Sequence, residues 1–74
     1  MYLITDIIPS RYNRHHSYLL GLTIKMKLCV VGKSMVFYTE EYGSFHTSTV
    51  VKITKSGDKM IVETGNSIYH FLKL

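Results

Sequence analysis

Arg11, Tyr12, Arg14, His15, His16 and Tyr18 crowd into one polar segment, residues 10–18. An arginine fork pairs with phosphate or carboxylate through two parallel hydrogen bonds. A tyrosine ring stacks on a base or fills a pocket on a protein partner. The same residue types therefore serve nucleic-acid binding and protein binding equally well. The plain alternative is a solvated loop whose tyrosines cover one end of the fold. Lys25 and Lys27 extend the basic character, with Lys33 close behind them. On an exposed strand face, lysines also discourage edge-to-edge pairing, so they have a solubility role open to them.

Charge is placed unevenly along the 74 residues. Residues 1–33 carry five lysines and arginines against Asp6 alone, whereas residues 34–74 carry four charges of each sign. The net charge of +4 thus belongs to the first half. A basic half attracts phosphates or an acidic protein surface.

Other chemistries find little support. Cys29 stands alone, which excludes an intramolecular disulfide, and its place inside an apolar stretch suits a small buried side chain better than a reactive thiol. His15 and His16 are adjacent, and His46, His70 and Cys29 are scattered, so no metal-ligand spacing is formed. Gly32-Lys33-Ser34 ends like a phosphate-binding loop, but Lys27 stands where the first glycine would be required. No acid–base pair or nucleophile constellation can be assembled, so the expectation is a protein without enzymatic activity and without a cofactor. The start of the chain carries Asp6 and Pro9 and no long apolar run, unlike a signal peptide. No stretch approaches the ~20 apolar residues of a membrane span. These features suit a cytoplasmic protein.

The elements that must hold these residues read as strands. Leu22, Ile24, Met26, Leu28 and Val30 alternate with Thr23, Lys25, Lys27 and Cys29, a period of two that argues for a half-buried strand over residues 22–30. Residues 35–39, 45–54, 59–64 and 67–74 continue the series, separated by turns at 32–34, 40–44, 56–58 and 65–66. Gly65-Asn66 is expected to form a tight hairpin because both residues tolerate positive φ. Residues 1–8, ended by Pro9, read as a short edge strand or N-terminal extension. Only residues 12–21 leave room for a single helical turn. The fold expected is all-β: one small domain, residues 1–74, built as a five-stranded antiparallel barrel or strongly bent sheet of SH3-like size. An exposed strand edge at either end of the chain would also suit a homodimer.

The second half carries a pattern of its own. Thr47-Ser48-x-Val50-x-x-Ile53 precedes Val62-x-Thr64-x-Asn66-Ser67-x-Tyr69-x-Phe71. This resembles the "TS-x-V … T-x-N-S-x-Y" ending of very small proteins of phages, plasmids and gut-bacterial mobile elements. Gly65 stands where arginine is common in that pattern, and Thr49 where proline is common. Without any resemblance, the hydroxyls suit a pleated surface and can bond across strands, and Tyr69 and Phe71 share a face from which they can fill the core. The resemblance implies a mobile-element protein that binds and blocks a host protein or ribonucleoprotein complex in the host cytosol, with anti-CRISPR and other anti-defence proteins as the sharpest form. The alternative is a nucleic-acid-binding barrel using the basic half. Under either reading the binding residues expected are Arg11, Tyr12, Arg14, His15, His16, Tyr18, Lys25 and Lys27.

Overall fold

In the computed structural model, which describes residues 1–9 and 17–74, six strands run antiparallel around a closed barrel. They are β1 (Tyr2–Pro9), β2 (Thr23–Leu28), β3 (Ser34–Thr39), β4 (Gly43–Ser56), β5 (Lys59–Thr64) and β6 (Ser67–Lys73). Each pairs with the next in sequence, and β1 closes the ring by pairing with both β2 and β6. A 3₁₀ turn at Ser17–Leu19 fills the one place where the sequence leaves room for a helical turn.

The sixth strand is a correction. Residues 1–8 are not an extension: β1 lies along β6 from Tyr2–Lys73 to Pro9–Ser67, and its first residues, Tyr2 and Leu3, also pair with β2. The reason is a bulge at Thr5, where the register shifts between Ile4 and Asp6. A strict alternation would send Ile4 and Ile7 to opposite faces. The extra residue brings both inward, Ile4 to full burial and Ile7 nearly so.

A second bulge corrects β2. Its register on β3 shifts between Met26 and Leu28, and the alternation breaks there. Ile24 is fully buried and Met26 half-buried, as the pattern requires, but Leu28 and Val30 are 39% and 43% exposed. Cys29, which alternation puts on the polar face and residue type suits to burial, packs against the core.

β4 is the long strand that bends the sheet. Its first half pairs with β3, from Thr39–Gly43 to Ser34–Thr49, and its second half pairs with β5, from Val50–Thr64 to Ser56–Lys59. Val50, at the changeover, is completely buried. Gly32 and Lys33 bond back to it through both Gly32 N–H to Val50 O (2.9 Å) and Val50 N–H to Lys33 O (2.9 Å).

The core is one cluster. β5 and β6 read as the sequence suggests: Met60 and Val62 alternate inward on one strand, Tyr69 and Phe71 on the other. The two aromatic rings stack at 6.3 Å and 9°, and Phe37 meets Phe71 edge-on at 6.3 Å. Rings of this size dominate the burial available to so short a chain. Among the described residues no helix is long and apolar enough to cross a membrane.

Candidate functional site

Threonines and serines of the second half turn out to be the joinery of the barrel. At the β3–β4 irregularity, Thr47 Oγ1 accepts the N–H of buried Met35 at 3.0 Å and donates to Ser48 O at 2.7 Å. Thr64 Oγ1 donates to Ser67 O at 3.0 Å and accepts from Ser67 N–H at 3.1 Å and Asn66 N–H at 3.3 Å. Asn66 N–H also reaches Ser48 Oγ at 3.1 Å. The Gly65-Asn66 turn is therefore tight, as expected, but for another reason. Neither residue has positive φ, and side-chain hydroxyls hold the loop in place of a left-handed backbone.

Of the residues nominated from sequence, Arg11, Tyr12, Arg14, His15 and His16 lie outside the described residues. Tyr18 sits on the 3₁₀ turn, 46% exposed, with its ring edge-on to Tyr42 at 4.9 Å. Leu19 beside it is fully buried and anchors the turn, and Gly21 N–H bonds to Ile4 O at 2.9 Å. Residue 18 is thus fixed against the β3–β4 turn.

Lys25 and Lys27 are both exposed and line one surface cavity of about 310 Å³ together with Tyr38, Glu40 and Met1. Tyr38 is the cross-strand partner of Lys25 and is 41% exposed. The structure brings Lys25, Lys27 and Tyr38 together. Lys33, carried off by the β2–β3 turn, lines neither this cavity nor the cleft described next.

That cleft was not visible in the sequence. It opens at the end of the barrel where β2 outruns β1, has a volume of about 320 Å³, and is lined by Tyr2, Met26, Lys27, Leu28, Cys29, Ile53, Lys55 and Met60. The β1–β2 ladder stops at Tyr2–Ile24, so β2 continues beyond its neighbour and the wall parts. A smaller hollow of about 110 Å³ adjoins it, sharing Tyr2, Lys55 and Met60 and adding Lys59, Lys73 and Asp58. Lys27 and Lys55 line the cleft beside half-buried Met26 and Ile53, and Lys59 and Lys73 line the adjoining hollow, so four lysines from four strands or their ends gather at this end of the barrel. The halves of the chain conceal this. Lys55, Lys59 and Lys73 are offset in a charge count by Glu40 and Glu41, which stand in the β3–β4 turn and line neither hollow.

Within the cleft, burial pushes the Cys29 thiol up from its ordinary value of 9.0, and the Lys55 ammonium pulls partly the other way. At neutral pH the group is a thiol and not a thiolate, which does not suit nucleophilic chemistry. Burial likewise raises Tyr69, against a hydrogen bond with Ser67. Among the described residues no three His, Cys, Asp or Glu side chains are grouped to hold a metal. What the arrangement can do is bind: lysines around a concave surface attract a negative partner. No family model, curated protein or solved structure matches the chain.

Proposed function

We propose that this chain is a binding protein, a small barrel of SH3-like size that acts by occupying a host protein and not by catalysis. The observation that carries the reading is the cleft at the parted end of the barrel. Met26, Met60 and Ile53 line it, and Lys27 and Lys55 flank it. Half-buried Met26 is a flexible side chain able to repack against a foreign surface, and the lysines steer and select an acidic partner. The phage and mobile-element resemblance of the Thr47–Phe71 pattern supports a partner in a host defence or nucleic-acid-processing complex, met in the host cytosol. The segment bearing Arg11, Tyr12 and Arg14 would supply further anchors of the kind that dominate interfaces.

A second reading, single-stranded nucleic acid, draws on one observation: the exposed Tyr38 ring beside Lys25 and Lys27, an arrangement of stacking surface and cations. Capture by tagged protein from host lysate, with and without nuclease, separates the two. The proposal expects a protein partner retained after nuclease, and lost when Lys27→Glu and Lys55→Glu are combined. Loss of every partner with nuclease, together with a steep fall in affinity between about 50 and 200 mM salt, would overturn it in favour of nucleic acid.

A further inference from the structure

The long strand β4 has an edge with no backbone partner among the described residues. Its first half is paired with β3, and from Val51 to Ser56 the only ladder among the described residues is the one to β5. The last bonds toward β3 are those at Val50, and no other backbone partner for residues 51–56 lies on that side among the described residues. The same stretch carries Ile53 and Lys55 into the cleft wall, which Leu28 and Cys29 also line. A free strand edge is a row of unpaired N–H and C=O groups and a template for another strand.

We propose that the cleft takes an extended, acidic segment of the partner, added as a strand to the free edge of β4. The inference rests on the protein-binding reading and specifies its mode. Two observations choose the occupant. Backbone groups of every second residue of β4 supply hydrogen bonds to any extended chain, and alternate side chains of that chain then face the cleft. The cations around it, Lys27, Lys55, Lys59 and Lys73 against Asp58, favour carboxylates in that segment. They also argue against a second copy of this chain, because pairing β4 with itself would bring a second Lys55 to a cleft already lined by Lys27 and Lys55.

Three synthetic peptides test it by titration against the whole protein: alternating glutamate and valine, and the same peptide N-methylated on one or the other alternate set of residues. The unmodified peptide is expected to bind and to protect Cys29 from alkylation at mildly alkaline pH. Methylation of the set facing β4 should weaken binding at least about tenfold, each lost hydrogen bond being worth roughly 1 kcal/mol, and methylation of the other set should leave it within about twofold. Equal behaviour of both methylated peptides would overturn strand addition, while leaving an acidic partner in the cleft. No binding of the unmodified peptide by a protein that still captures its host partner would also overturn it. So would a stable dimer in sedimentation that Lys55→Glu abolishes, which would seat a second copy on the edge. Failure of host capture as well would remove the parent reading.

Discussion

Thr47 Oγ1 stands 3.0 Å from the backbone nitrogen of Met35 and accepts its proton, at the point where the β3–β4 ladder slips register. A side chain here replaces a ladder carbonyl for a residue that is completely buried. Thr47→Val keeps the shape and removes the acceptor. The expected loss is about 1–3 kcal/mol, the cost of an unsatisfied buried donor, and Thr47→Ser should recover most of it. Urea unfolding of the three proteins checks both statements.

Thr64 carries a heavier load, with three bonds from one hydroxyl across the Gly65-Asn66 turn. Thr64→Val is therefore expected to cost at least as much as Thr47→Val. Because no positive φ is needed at residues 65 and 66, Gly65→Ala should be nearly neutral, the nearest atom to its new Cβ being Ser48 Oγ at 3.7 Å. At Gly57, where φ is +59°, the same change should cost about 1–2 kcal/mol. Equal penalties at the two glycines would contradict the account of the turn.

Cys29 gives a pH dependence with a definite sign. The folded chain holds this proton longer than the unfolded chain, because burial raises the thiol. Stability from this group is thus complete below the ordinary value of 9.0 and is lost as pH rises through the higher folded value. Cys29→Ser should flatten the alkaline limb of a stability–pH profile. Lys55→Met removes the opposing ammonium, so the midpoint of iodoacetamide reactivity should move further upward.

His70 makes the opposite kind of claim. Its Nε2 is buried without a hydrogen-bond partner among the described residues, beside a cavity of about 300 Å³ lined by Thr5, Ile61 and Leu72. An orphaned buried nitrogen is a cost, so His70→Leu is expected to leave the melting temperature unchanged or to raise it. A loss above about 1 kcal/mol would mean that the imidazole has a structural partner.

Arg11→Glu combined with Arg14→Glu reads the segment nominated from sequence. Host-partner affinity is expected to fall at least about tenfold, as for interface anchors, with circular dichroism unchanged. Unaltered affinity would confine the interface to the cleft.

Where alternation is regular the sequence is a faithful guide: Met60, Val62, Tyr69 and Phe71 turn inward as their spacing says. Bulges are what it does not announce, since whether a residue is extra depends on the strand opposite. Thr5 makes β1 a full member of the barrel, and the slip after Met26 turns Cys29 inward and Leu28 outward. The cleft was hidden for the same reason. Lys27 and Lys55 are far apart in sequence and meet only because β2 outruns β1 and β4 bends between partners.

The seam between β1 and β2 closes on Tyr2–Ile24 and Leu3–Thr23, against a ladder down the whole of β1 on its other side. A ring fastened unevenly opens at its weakest clasp. Amide exchange at Ile4 and Gly21, whose N–H groups bond across this seam to Leu22 O and Ile4 O, should run through small local openings well below the global unfolding free energy, while the β5–β6 amides wait for the whole molecule. The firmest and the loosest seams of the ring thus lie on the two sides of one strand, β1.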